Sequence, residues 1–193
     1  MIKTDFTALV REFHIKIGAY VADMPEVPPS NIQLLRQRLI LEEWGETVVA
    51  MHEQNLDQTA DGLCDLLYVV VGTGISFGCP VSNRDFAPHE AYRIDPPTHQ
   101  IVGNVQMVTF WIARTLEHMF NMVQFNSRLA ALAIGVYETG CNTYGLPMEE
   151  LFVEVHRSNM TKDGMNRFDK GGKGDGWQPP QIRKVIERAW TRL

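Results

Sequence analysis

Apolar residues recur along most of this chain at three- and four-residue intervals. In Phe6–Tyr20 they fall at Phe6, Leu9, Val10, Phe13 and Ile17, a spacing that predicts a helix. Pro25, Pro28 and Pro29 then break the pattern, and Ser30 or Asn31 can cap a second helix over about Ile32–His52. After a turn at Glu53–Leu56, a third helix is expected over Asp57–Phe77, stopped by Gly78 and Pro80. Residues 81–100 hold Pro88, Pro96 and Pro97 and show no period. They read as a long connecting loop, and so long a loop within one domain usually serves function or covers something. Helical spacing returns at Gly103–Phe120 and Ser127–Tyr144, and a short helix follows at Met148–Asn159. The Gly-, Lys- and Asp-rich stretch Thr161–Pro180 reads as flexible, and Gln181–Arg192 forms a last helix. Strand-like alternation is nowhere convincing, so the pattern predicts a single all-α domain over residues 1–193, most simply a helical bundle.

Leu66–Val81 is similar to Leu132–Met148 at an offset of 67, with Phe77-Gly78-Cys79-Pro80 matching Tyr144-Gly145-Leu146-Pro147. Residues 103–147 are then either a degenerate second hairpin or a chance likeness between two apolar helices. At the same offset, Glu42, Glu43 and Glu46 face Thr109, Phe110 and Ala113, while Asp61 and Asp65 face Arg128 and Leu132.

Composition narrows the function classes. The 193 residues suit one domain, and 45% hydrophobic with 21% charged residues is an ordinary globular mix. A net charge of −5 offers no basic field for a polyanion, which argues against a nucleic-acid partner. The three cysteines, Cys64, Cys79 and Cys141, form no CxxC pair and fit a reducing, cytoplasmic setting. The opening residues carry Asp5, Arg11 and Glu12 without a long apolar core, unlike a secretory signal. The uncharged run Leu66–Asn83 contains Gly72, Gly74, Gly78 and Pro80 and reads as a buried helix with its exit turn, so no membrane span is expected.

Five carboxylates then change the picture. At about 100° per residue, with Glu42 at zero, Glu46 falls at about 40° and Glu43 at about 100°. Leu35, Leu39 and Ala50 fall at about 20°, 60° and 80°, so the acids share a sector with apolar residues. On the next helix, with Asp61 at zero, Asp65 lies at about 40° beside Tyr68, Gly72 and Ile75, at about −20°, 20° and −40°. Buried carboxylates without compensation are expensive, and several together repel. Two short-looped antiparallel helices would bring both faces together, and hard oxygen ligands suit Mg²⁺, with Mn²⁺ as a substitute. A di-iron bundle needs Glu-x-x-His, and none of the six histidines has a Glu three residues before it.

EEWGE (42–46) followed by DGLCDLLYVVVGT (61–73) resembles the all-α nucleoside triphosphate pyrophosphohydrolases, a superfamily of MazG-like proteins, phosphoribosyl-ATP pyrophosphohydrolases and dimeric dUTPases. VHRSNMTKDG and GGKGDGWQPP resemble the tail of phage and bacterial MazG-like proteins, and EFHIKIG their first helix. The resemblance spans residues 9–83 and 147–180. One departure stands out: the Glu of the second-helix ExxD pattern is Gly62 if Asp65 is its aspartate, or Gln58 if Asp61 is.

The resemblance implies a MazG-like four-helix core, homodimeric or homotetrameric. It implies Mg²⁺-dependent hydrolysis of a nucleoside triphosphate, such as dUTP, dCTP or dGTP, to the monophosphate and pyrophosphate. Two or three ions would sit on Glu43, Glu46, Asp61 and Asp65, with Glu42 either a further ligand or the base for the attacking water. Glu42, Glu43 and Glu46 are the catalytic candidates. Asn159 and Lys162 are the phosphate-side candidates, and Lys170 and Lys173 sit in a segment able to close as a lid. His14, Tyr68 and Asn83 are the candidate contacts to the substrate, and Trp44 is expected to pack between helices. A phage setting would place the enzyme in the host cytoplasm, controlling the nucleotide pool. The missing second-helix Glu also fits a catalytically lapsed nucleotide or metal sensor, and a helical assembly scaffold is a third alternative. No Walker, GxGxxG or HExxH motif is present.

Overall fold

A computed structural model describes residues 3–163 and 173–192. Among them it is all-helical, with seven α-helices and no strand. α1 spans Phe6–Ile17 and starts where the Asp5 side chain accepts from Ala8 N. It stops three residues before the expected Tyr20 because Gly18 turns left-handed, at φ 66°, and caps the helix. α2 spans Ser30–His52. Neither Ser30 nor Asn31 caps it; the cap position is Pro29, with no side-chain hydrogen bond, and its carbonyl accepts from Ile32 N and Gln33 N instead.

α3, Leu56–Ser76, begins at Asn55, whose side chain accepts from Gln58 N. It is the central element: Leu63, Leu66, Leu67, Val70 and Val71 are fully buried among α1, α2, α5 and α6. No helix among the described residues is long and apolar enough to cross a membrane. The helix exits through Gly78, at φ 64°, where an added Cβ would lie 2.0 Å from the Met24 carbonyl oxygen.

The long loop contains one 3-10 turn, Asn83–Asp85, and covers one end of the core. Phe86 is buried there, its ring 5.3 Å from that of Phe6 and 5.1 Å from that of Tyr137. α4 (Thr98–Glu117) and α5 (Met122–Glu138) each begin five residues before the hydrophobic spacing suggests. The first turn of α4 is polar apart from Ile101, so apolar periodicity does not register it, whereas that of α5 carries Met122, Val123 and a fully buried Phe125. α5 continues as a π-helical turn, Thr139–Thr143. α6 spans Met148–Asn159 as expected, and α7 spans Ile182–Trp190.

Of Thr161–Pro180, expected to be flexible, the structure describes the two ends. Gln178 N donates to Thr161 Oγ1, Ser158 Oγ donates to Gln178 O, and Arg157 donates to Gln178 Oε1 and Pro179 O, so this end of the segment is fastened to the end of α6. Lys170 lies outside the described residues.

Candidate active site

α2 and α3 pack as a hairpin across a close crossing of Thr47 and Gly62. A Cβ on Gly62 would lie 2.5 Å from Thr47 Oγ1 and 3.2 Å from Thr47 Cα. Thr47 is fully buried, and its hydroxyl donates to the Glu43 carbonyl at 2.6 Å. With Asp65 as the aspartate of the ExxD pattern, the crossing accounts for glycine at position 62: a carboxylate-bearing side chain there would collide with Thr47.

Beside the crossing opens a cleft of about 500 Å³ lined by Glu43, Glu46, Asp61 and Asp65, with Gln58 and Gly62. Glu43 is buried, Asp61 and Asp65 are half-buried, and Glu46 is exposed. Glu42 is half-buried and is not among the lining residues. The buried side of α2 runs through Arg36, Ile40, Glu43 and Thr47, so Glu43 sits near its middle while Glu42, about 100° away, falls on its flank.

Asp61 reports the electrostatics of the cleft. Burial, then the neighbouring Glu43 charge, push its carboxyl up to about 6, against the pull of Lys173 and Lys162. Its Oδ1 is buried with no hydrogen-bond partner. A buried carboxylate oxygen without a donor, among other acids, is what a hard cation would satisfy, so the donor set fits a divalent ion. Among the described residues no three His, Cys, Asp or Glu side chains already stand as a group that could hold a metal ion. The four acids share a cleft without closing into a cage, as mutual repulsion predicts.

The cleft continues through Glu43 and Asp65 into a narrower recess of about 90 Å³ between α1, α2, α3 and the end of α6. Its apolar walls include Phe13, Ile17, Leu35 and Leu39, and its polar groups include His14, Arg36, Tyr68, Asn159 and Lys162. Four of the sequence candidates, His14, Tyr68, Asn159 and Lys162, therefore gather at one place. His14 is 4% exposed; burial and the Arg36 charge lower its pKa to about 3, so it is neutral, and its Nδ1 has no hydrogen-bond partner.

Arg36 escaped the sequence reading. It is 6% exposed, and its guanidinium donates to Thr73 Oγ1 and the Val69 carbonyl. A Cβ on Gly72 would lie 2.7 Å from both Arg36 Nη2 and His14 Nε2, so this glycine makes room for the two basic side chains. The available signal was its position seven residues before Glu43, which puts both on one face of α2.

Two candidates lie apart from the recess. Asn83 lines neither cavity and instead fastens the start of α1, accepting from Phe6 N and donating to Thr4 O. Lys173 is exposed, its Nζ 4.5 Å from the Trp177 ring, near enough to Asp61 to act on its charge. Trp44 packs between helices, its indole donating to Thr109 Oγ1 at 3.0 Å.

Comparison with known proteins meets this geometry at its centre. Residues 10–83 match the family model of phosphoribosyl-ATP pyrophosphohydrolase. The match shows the all-α pyrophosphohydrolase resemblance over the segment that carries His14, Arg36, the acids and Tyr68. Members of that family are pyrophosphohydrolases, which supports a hydrolase in general terms, and the family generally uses divalent metal ions. A relative, "Uncharacterized protein L479" of Acanthamoeba polyphaga mimivirus, is 30% identical over 159 residues, covering 72% of this chain. The chain spans 61% of the length of that curated relative. No solved structure matches the chain.

Proposed function

We propose that the chain hydrolyses a nucleoside triphosphate to the monophosphate and pyrophosphate with Mg²⁺, Mn²⁺ serving as a substitute. The observation that carries this reading is that an acidic cleft and a recess with apolar walls and a few polar groups share Glu43 and Asp65 in their linings. The recess takes the base and the cleft the phosphates.

Glu43, Glu46, Asp61 and Asp65 would hold the ions. Bound there, divalent ions neutralise the triphosphate and acidify a water for attack. Glu43 and Asp65 stand at the junction of the two cavities and would orient the bond that breaks, between the monophosphate and the leaving pyrophosphate. Glu42, on the flank of α2 and outside the cleft lining, is placed less well than Glu43 for either a ligand or the base acting on the attacking water. Lys162 lines the recess yet is near enough to Asp61 in the cleft to act on its charge, so it would pair with phosphate oxygens where the two cavities meet, and Lys173 would add charge from the cleft side. Phe13, Leu35 and Leu39 exclude water around the base.

A cytoplasmic homo-oligomer engaged in nucleotide-pool control belongs to the same proposal. Leu34, Leu41 and Val49 along α2 and Val102 and Phe110 on α4 are exposed, apolar area that suits contact between copies. Three free, buried cysteines agree with a reducing compartment.

The test is a panel of ribo- and deoxyribonucleoside triphosphates with Mg²⁺, read by pyrophosphate release. Release from at least one, abolished by chelation, is the expected result; no release from any overturns the reading. Gly62 in place of the expected Glu favours one second reading, a lapsed nucleotide sensor, which would bind a nucleotide in that panel without turning it over.

A further inference from the structure

A chain of polar contacts that the proposed hydrolysis does not use runs from the surface into the recess. His156 on α6 is 8% exposed. Its Nδ1 lies 2.9 Å from the Tyr68 hydroxyl, and its Nε2 lies 3.5 Å from Glu12 Oε2 on α1. Burial holds the His156 pKa below its ordinary value, with Glu12 working in the other direction, so near neutral pH the ring carries one N–H. An ionised Glu12 can only accept, which puts that hydrogen on Nε2. Nδ1 is then an acceptor, and the Tyr68 hydroxyl must donate to it. The Tyr68 oxygen is left with lone pairs alone. Asn159 stands beside Tyr68 in the recess, near enough to act on its hydroxyl, and toward an oxygen left with lone pairs alone it presents its amide nitrogen, with its amide oxygen turned away.

Tyr68 and Asn159 line the recess, whereas Glu12 and His156 do not. We propose that Glu12, acting through His156, fixes the direction of these hydrogen bonds, so that Tyr68 and Asn159 Oδ1 meet a bound heterocycle as acceptors and select a base edge that offers an N–H. This rests on the recess being the base pocket. Glu12 and His156 are positioning residues, and their effect travels as a tautomer rather than as a contact.

Nitrogen-15 NMR of His156 in the full chain tests the first half without nucleotide: the wild type should show hydrogen on Nε2. Glu12→Lys places a donor opposite Nε2 and should move the hydrogen to Nδ1, reversing the Tyr68 hydroxyl. KM for the best triphosphate of the panel should then rise about fivefold, the scale of one net hydrogen bond, with kcat within about twofold. Glu12→Gln, which can still accept, should restore both readings. Tyr68→Phe removes the acceptor directly and should raise KM similarly, whether or not Glu12→Lys folds. A wild-type His156 with hydrogen on Nδ1, or a Glu12→Lys variant that moves the hydrogen with KM unchanged, overturns the inference. A protein that releases no pyrophosphate from any triphosphate overturns the hydrolase reading and the base-edge claim with it, whichever tautomer is found. An active hydrolase with the wrong tautomer overturns this inference alone.

Discussion

The α2–α3 and α4–α5 hairpins end alike and carry opposite chemistry. Each leaves its second helix through a left-handed glycine, Gly78 at φ 64° and Gly145 at φ 62°. Each follows that glycine, two residues later, with a proline. Between them, the positions that hold Glu42, Glu43, Glu46, Asp61 and Asp65 in the first hairpin hold Thr109, Phe110, Ala113, Arg128 and Leu132 in the second. Leu132 is fully buried, Thr109 receives the Trp44 indole, and Arg128 lies 5.8 Å from the Trp111 ring. One hairpin gathers mutually repelling acids at a cleft, and the other braces the core beside it. What differs is where stability is surrendered for a site.

The matched pair Asp65 and Leu132 breaks or sharpens that contrast most strongly. Asp65→Ala should lower pyrophosphate release by about two orders of magnitude or more. Without divalent ions its effect on thermal stability should be small beside that of Leu132→Ala, because no fully buried apolar side chain is lost. Leu132→Ala should do the reverse, costing about 2–5 kcal/mol in denaturant unfolding while the folded fraction keeps its turnover. Parallel activity and unfolding curves for the two variants check both halves.

Two glycines give a smaller effect of opposite sign. Gly62→Ala forces a methyl against Thr47, side chain and backbone, and should destabilise by about 1–3 kcal/mol. Gly103→Ala on α4 meets nothing within 4 Å and should stabilise by about 0.5–1 kcal/mol through helix propensity. Urea midpoints for the pair measure this. If Gly62→Ala proved neutral, the close crossing would not explain the missing Glu.

Two pH slopes of opposite sign, measured in chelator, sharpen the contrast within the site itself. Asp61 binds its proton more tightly folded than unfolded, so its contribution is full below pH 3.8 and is lost as pH rises toward about 6. His14 binds its proton less tightly folded, so its contribution is full above pH 6.5 and is lost as pH falls toward about 3. Asp61→Asn should therefore remove a decline of Tm with rising pH, and His14→Gln should remove a decline with falling pH. Thermal melts across this range separate them.

The helices were legible because their apolar stripes are local, and Glu43 was legible because its position on α2 coincides with such a stripe. Arg36 was not, since its burial depends on Gly72 on another helix, a contact no local pattern encodes. Asn83 looked like a polar residue near the site, but its side chain serves the backbone of residues 4 and 6. Glu42 and Glu43 differ by one residue and by about 100° of helix, and only packing decides which of the two faces the cleft. The first turn of α4 is polar apart from Ile101 and leaves little hydrophobic trace, whereas Met122, Val123 and Phe125 at the start of α5 are apolar but are followed by the polar pair Asn126 and Ser127, where the spacing breaks.

The most direct measurement is anomalous diffraction from a crystal equilibrated with Mn²⁺ and a non-hydrolysable triphosphate analogue. The account predicts manganese peaks in the cleft, coordinated by oxygens of Glu43, Glu46, Asp61 or Asp65, with the base in the recess beside Tyr68. Peaks elsewhere, with those four carboxylates surrounded only by water, would contradict it.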